Sequence, residues 1–401
     1  MTLTLGLFGA GVMGQRHIKG LAKLRNIGQQ AFRVVGICDL IPESANKAAD
    51  LAEELLGNRP VIYPNFASMH RENRLDAITL TTMPNTHVAL GIEAFSAGVH
   101  VLCEKPVATT VKSSWELVQA GRAAGRKLAI AENYRRDPMN RLGKALLDSG
   151  VIGHPYLMVQ SSSGSGEQVI ITPWRHLKKF CGIAVDMGVH YTDILEYYLG
   201  AVSSVMGLAD IIDVVRTGSN GSKHPVDAED LVAGSLRFAS GAVGHFLLNC
   251  AGRGEGHFMR AIYGTGGSLI LPPDRSGQPV QLVQRRSGAD VRIGIDDVLS
   301  LVPQFSLDET TAALFGGHRL VKYELPWVDI DANLLAIEYA DFASAISQDH
   351  EPEVNGEMGL RSLALMYGFL ESQGSGAVLS ATDLVSGAVS QYQDHLEQTV
   401  S

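Results

Sequence analysis

"GLFGAGVMGQRH", residues 6–17, decides how the chain is read. Gly9-Ala10-Gly11-Val12-Met13-Gly14 is a GxGxxG pattern, weak by itself in a chain with 43 glycines. Its setting gives it weight, because it follows an apolar β-rich run, "LTLGLFGAG", and opens a helical one, "GQRHIKGLAKL". At a first βα turn, Gly9 permits the tight turn and Gly11 lets the backbone approach a pyrophosphate. Gly14 lets helix and strand close up, while Val12 and Met13 begin a helix whose free N–H groups attract an anion.

Outward from that turn, short apolar strands alternate with helices. "FRVVGICD", "AITLTTMP", "HVLCEKP" and "KLAIAENY" read as the second to fifth strands, with "PESANKAADLAEELL" and "THVALGIEAFSAG" as helices between them. This rhythm predicts a doubly wound parallel sheet, an α/β Rossmann domain over residues 1–133, with its strand C-terminal ends along one edge. From residue 134 to 401 the rhythm changes. "YLMVQSSSGSG", "DLVAGSLRF", "GAVGHFLLNCA", "MRAIYGT" and "GSLILPP" are longer strands joined by turns, which predicts an α+β domain with a large, mostly antiparallel open sheet. Helices at 182–199 and 333–347 are expected to cover one face of it. A second subunit is expected on the other, as a homodimer or homotetramer. The stretches 216–229 and 272–280 read as polar insertions.

A chain of 401 residues is long for one core, which agrees with two domains. The net charge of -9 and the absence of a basic run argue against nucleic acid as a partner. The N-terminus lacks the charged start of a signal peptide, and no apolar stretch approaches the ~20 residues of a membrane span. Cys38, Cys103, Cys181 and Cys250 lack metal-finger spacing, so reduced thiols in a cytoplasmic protein are expected.

Two further sets of residues carry chemistry. Asp39 closes the second strand, where an acid would bind ribose hydroxyls, although a turn or cap residue is the alternative. It stands thirty residues after Gly9 rather than the usual ~20, and Leu40 follows where a 2'-phosphate binder often has Arg. NAD is therefore favoured over NADP. "CGIAVDMGVHYTDILEYYLG" carries Asp186, His190 and Asp193 on one helical face, opposite Ile183, Val185, Val189, Ile194 and Leu195. Gly188 within that helix costs about 1 kcal/mol relative to Ala, so a ligand or backbone is expected close by. Three readings stand: a core histidine with solvated acids, a metal pair lacking a convincing third ligand, or a general base poised by a carboxylate. Lys105 ends the strand "HVLCEKP", on the edge where a doubly wound sheet binds ligands. Removing hydride from a secondary alcohol needs a base for the hydroxyl proton and a cation near the oxygen. His and Lys suit those two roles, whereas a surface amine snorkelling into water is less natural between a buried strand and Pro106.

In combination these residues resemble the Gfo/Idh/MocA oxidoreductases. The motifs are "GLFGAGVMGQRH", "TTMPNTH" (81–87), "CEKPVA" (103–108), "ENYRR" (132–136), "PWRH" (173–176), "DMGVHYTDIL" (186–195), "YGTGGSL" (263–269) and "GEMGLRSLAL" (356–365). The resemblance implies Lys105, Asp186 and His190 as the catalytic set and a cis Lys105–Pro106 bond. It implies Thr82, Pro84, Asn85, His87, Glu104, Lys105, Trp174 and Arg175 as further cofactor contacts, with Tyr134 and Arg135 near the substrate. Two departures concern the substrate side. Cys181-Gly182 stands where the family commonly has Gly-Gly, and extra length falls around 210–230 and 280–325.

The expected activity is NAD-dependent oxidation of a secondary ring hydroxyl of a sugar, cyclitol or glycoside, or reduction of the ketone. Alternatives are a dihydrodiol dehydrogenase, in which Arg135, Arg136 and Arg175 would bind a carboxylate, and a glycoside hydrolase or lyase using transient oxidation. Outside enzymes, a dinucleotide-binding sensor or scaffold is the rival. No metal is expected.

Overall fold

A computed structural model of the chain describes residues 2–398. The first sheet contains β1 (Leu3–Phe8), β2 (Phe32–Cys38), β3 (Val61–Ile62), β4 (Ala77–Leu80), β5 (His100–Glu104) and β6 (Leu128–Ala131). All its pairings are parallel, in the order β3-β2-β1-β4-β5-β6, which is the doubly wound arrangement. The strands expected as third to fifth are thus fourth to sixth. The two-residue edge strand β3 intervenes, too short and too exposed to leave a sequence pattern. Helices α1 (Val12–Asn26), α2 (Pro42–Leu56), α3 (Phe66–Asn73), α4 (Pro84–Ser96) and α5 (Val111–Ala124) connect the strands. Burial on both faces explains the unbroken apolar runs: every residue of β4 and β6 is buried.

α6 (Pro138–Asp148) leads into a nine-stranded sheet. Its strands are β7 (Pro155–Ser165), β8 (Val202–Asp210), β11 (Leu231–Phe238), β12 (Val243–Gly252), β13 (His257–Gly264), β14 (Gly267–Leu271), β15 (Gln281–Arg286), β16 (Ala289–Arg292) and β17 (Leu379–Ser380). The order is β16-β15-β14-β13-β7-β12-β11-β8-β17, antiparallel except where β12 pairs with β7. A small hairpin of β9 (Val215–Thr217) and β10 (Lys223–Pro225) occupies the expected insertion near 216–229. The α/β Rossmann plus α+β architecture is as the sequence indicates.

One helix assignment is corrected. α7 (Gly182–Leu199) covers the second sheet as expected, but its partner there is α10 (Gly356–Ser375). Phe369 of α10 stacks on Phe246 with ring centroids 4.7 Å apart. Gly207 and Gly234 make room for it, since a Cβ at either would lie 2.7 or 2.6 Å from a Phe369 carbon. After the short α8 (Glu309–Phe315), the helix expected at 333–347 is longer, α9 (Trp327–Gln348), and packs on the first domain. A Cβ at Gly20 would meet the Leu335 Cβ at 2.7 Å, so α1 and α9 run in close contact. Tyr339 and Phe342 of α9 contact the Phe32 ring of β2 at 5.6 and 5.8 Å. α9's apolar stripe suits either sheet, and only tertiary contacts choose.

Candidate active site

The C-terminal edge of the parallel sheet collects the sequence-predicted residues. Gly9 turns sharply at φ 92°, and a Cβ there would lie 2.6 Å from the Thr81 carbonyl carbon. A Cβ on Gly14 would lie 2.1 Å from the Gly9 oxygen, whereas one on Gly11 would meet nothing within 4 Å. Gly11 therefore faces free space at the N-terminus of α1, which no side chain caps. Free space and unclaimed amides fit a pyrophosphate. Asp39 follows β2, and its Oδ2 accepts from the Ala10 amide at 2.6 Å while Oδ1 accepts from Ile41 N at 2.7 Å. That ties the acid to the glycine turn and leaves it half-buried at the mouth. The dinucleotide set thus fits the group it is expected to hold.

Beyond β4, Thr82 accepts a hydrogen bond from the Thr86 hydroxyl at 2.7 Å, Pro84 starts α4, and Asn85 is exposed. His87 and Glu104 lie deeper. His87 is fully buried with ring nitrogens 3.2 Å from the Pro106 and Thr82 carbonyls, so it joins two loops of this edge. Glu104 lies 3.0 Å from Nε2 of His17 and accepts the Lys105 amide at 3.1 Å. Burial raises the Glu104 pKa, but His17, Lys105 and Arg16 outweigh it and hold it at about 2. His17 in turn contacts the Tyr339 hydroxyl at 3.0 Å, which also meets Thr79 at 3.0 Å. A buried polar chain therefore stands beneath Lys105.

The Lys105–Pro106 bond is cis. Lys105 is largely buried and not a snorkelling surface amine: Nζ donates to the Asp186 carbonyl at 2.8 Å and to Asp186 Oδ1 at 3.1 Å. The other Asp186 oxygen pairs with Arg175. Burial alone would raise this carboxyl, but Lys105 and Arg175 hold it at about 2, so it is ionised at neutral pH. Trp174 lies against Arg175, 4.8 Å from ring centroid to guanidinium carbon.

Asp186, His190 and Asp193 of α7 all find partners, and neither aspartate is solvated. Asp193 holds Arg135 through two bonds of 2.8 and 2.5 Å. His190 has Nδ1 2.8 and 2.7 Å from the two oxygens of Glu132, and Tyr134 stacks on its ring at 4.1 Å. Burial lowers the His190 pKa, with Glu132 the strongest opposing influence. Neutral at physiological pH, with Nε2 on the edge away from Glu132, this ring can accept a proton. Gly188 marks neither ligand nor backbone. A Cβ there would strike Met366 Sδ of α10 at 2.3 Å, so the glycine serves helix packing.

Two site residues escaped the sequence reading. Glu132 lies in the "ENYRR" motif, where nothing in the local sequence marks it as a partner of His190. Arg275 sits in the 272–280 insertion, which Arg260 anchors by gripping Asp274 at 2.6 and 2.8 Å. Its guanidinium carbon is 5.1 Å from the Tyr134 ring centre. Nothing in the local sequence signals that contact, because the pairing spans 141 residues. Cys181, where the family commonly has glycine, adopts φ 77° and Gly182 φ 76°, which explains why glycines suit both places.

A glycine turn that fits a dinucleotide shares its sheet edge with a Lys–Asp pair and a buried histidine, an arrangement suited to a dinucleotide-dependent oxidoreductase. Residues 3–132 match the family model described as "Oxidoreductase family, NAD-binding Rossmann fold", and residues 144–380 match its C-terminal alpha/beta domain. The chain belongs to the Gfo/Idh/MocA oxidoreductases, with an NAD-binding first domain. It is 29% identical over 304 residues to levoglucosan dehydrogenase of Pseudarthrobacter phenanthrenivorans, covering 68% of this chain and 74% of that protein. It is 29% identical over 201 residues to inositol 2-dehydrogenase 2 of Saccharopolyspora erythraea, covering 50% and 55%. A levoglucosan dehydrogenase crystallised with NADH and levoglucosan shares the fold at TM-score 0.76 and 22% identity, covering 95% of this chain and all of that one (100%). Among the described residues, no helix is long and apolar enough to cross a membrane.

Proposed function

We propose that this enzyme oxidises a secondary ring hydroxyl of a neutral sugar, cyclitol or glycoside with NAD, or reduces the corresponding ketone. The observation that carries it is the convergence of Lys105, Asp186 and His190 at the edge that bears the glycine turn. When bound, NAD supplies the hydride acceptor. His190 Nε2 takes the hydroxyl proton, and Lys105 stabilises the charge developing on oxygen. Asp186 stays ionised and fixes the ammonium. A neutral substrate is favoured over a carboxylated dihydrodiol because all three candidate arginines are engaged. Arg135 is held by Asp193, Arg136 by Asp341 and Glu353, and Arg175 by Asp186. Absorbance of reduced cofactor against a panel of sugars, inositols, glycosides and dihydrodiols tests this. Turnover of a glycoside with no accumulating NADH would favour transient oxidation, and inertness toward the whole panel would favour a sensor.

For the cofactor, Asp39→Ala is expected to weaken NAD about ten- to a hundredfold, the value of one or two charged hydrogen bonds, while NADP binding changes less. Dissociation constants for both nucleotides measure it. An unchanged ratio would show that Asp39 does not touch the ribose.

The uncovered face of the second sheet supports a homo-oligomer. Register places Leu157, Val159, Leu247, Ala233, Met206 and Leu208 on it, with Met206 46% and Leu208 67% exposed. Such a face is self-complementary across a two-fold axis. Leu208→Arg is expected to shift the sedimentation coefficient toward the monomer. A wild-type chain already monomeric would remove the proposal. The four free cysteines fit a reducing, cytoplasmic setting.

A further inference from the structure

We infer that Glu132 is a positioning residue of the reaction, whose carboxylate selects the tautomer of His190 and holds the ring's other nitrogen toward the reacting hydroxyl. The inference rests on the acid/base assignment of His190 and extends it to a residue outside the catalytic set. A carboxylate only accepts hydrogen bonds, so a ring nitrogen 2.8 and 2.7 Å from its two oxygens must carry the hydrogen. In the neutral ring the lone pair then sits on Nε2. The carboxylate is itself anchored, because the Tyr134 amide donates to Oε1 at 3.0 Å. The same residue's ring lies parallel to the imidazole, with a 10° interplanar angle. Residues 132–134 therefore fix the imidazole at one edge and across one face, and both members of the pair are buried, Glu132 3% and His190 6% exposed.

The charges around the ring show why an acid is needed there. Lys105 from the end of β5 and Arg275 from the loop after β14 both disfavour an imidazolium, as does burial. Tyr134 contributes an uncharged face, and Asp186, one turn back on α7, is engaged by Lys105 and Arg175. Glu132 is the acid in direct contact with the ring. During oxidation the substrate O–H bond breaks and an Nε2–H bond forms. The resulting imidazolium then faces a buried carboxylate across Nδ1–H. In the reductive direction the same proton returns to the carbonyl oxygen.

Glu132→Gln keeps the shape and removes the charge. Its kcat is expected to fall about ten- to a hundredfold with NAD affinity unchanged. Loss of the negative charge also destabilises the imidazolium, so the acidic limb of kcat/KM for oxidation moves to lower pH. Glu132→Asp is expected to return that limb toward the wild-type position with part of the rate. A residue that merely supports the fold would leave that limb in place. The ¹⁵N spectrum of histidine-labelled wild-type protein reads the pair without substrate: His190 is expected with Nδ1 protonated and Nε2 bare. An Nε2–H tautomer, or a Glu132→Gln enzyme with unchanged kcat and pH limb, would overturn the inference. Should the Gln variant not fold, the Asp variant and the wild-type spectrum decide. Normal turnover in His190→Ala would instead strike the acid/base assignment, while the spectrum would still report the Glu132–His190 pair.

Discussion

Replacing His190 by alanine is expected to lower turnover about 10²- to 10⁴-fold, the usual contribution of a positioned acid/base, while NAD binds nearly as before. The selectivity follows from position. His190 lies on α7, whereas the glycine turn and Asp39 belong to β1, α1 and the end of β2. Its contacts are Glu132 and Tyr134, neither of which touches the glycine turn. The truncation also strands Glu132, a buried carboxylate left with the Tyr134 amide. Some loss of thermal stability is therefore expected, and turnover should be compared at a temperature where both proteins are folded. Steady-state rates on the best substrate of the panel, with NAD affinity by fluorescence titration, make the measurement. A variant with normal turnover would mean that another group takes the proton. A variant that loses NAD binding in parallel would mean that the site had collapsed.

How far the sequence could be read depends on the range of each interaction. The glycine turn was legible because its spacing is local: Gly14 packs on the Gly9 oxygen five residues back and Gly11 faces open space, although Gly9 itself abuts the Thr81 backbone 72 residues on. Asp186, His190 and Asp193 were legible as one helical face, since spacing alone sets that. Their partners were not. Lys105 is 81 residues from Asp186, Glu132 is 58 from His190 and Arg135 is 58 from Asp193, and no local pattern records such pairings. The same limit explains α9. Its apolar residues predict a helix, but the choice between the two sheets was made by Gly20 against Leu335 and Phe32 against Tyr339, over 300 residues apart in sequence. Arg135, Arg136 and Arg175 show the effect on function. Counted as charges, they could hold a carboxylate. Placed in the fold, each is paired with an acid, Arg175 sharing Asp186 with Lys105.

Lys105→Met tests the other half of the chemistry. The ammonium has three hydrogens, and Asp186 takes two of them through its carbonyl and Oδ1. The third is available to the hydroxyl oxygen borne by the carbon from which hydride leaves. A donor aimed at developing charge in a water-poor site contributes roughly 10²- to 10³-fold, about 2.7–4 kcal/mol, and methionine removes it with little change of volume. The loss should fall on kcat more than on KM, because the charge exists in the transition state rather than in the bound alcohol. Asp186 complicates the variant, since it would keep Arg175 but lose the cation that does most to hold its pKa at about 2. The double variant Lys105→Met with Asp186→Asn separates the two effects. If Lys105 acts on the substrate oxygen, the double variant stays as slow as the single one. If the single variant is slow only because Asp186 is left under-neutralised, removing that carboxylate restores much of the rate, and Lys105 is reduced to a partner for the acid.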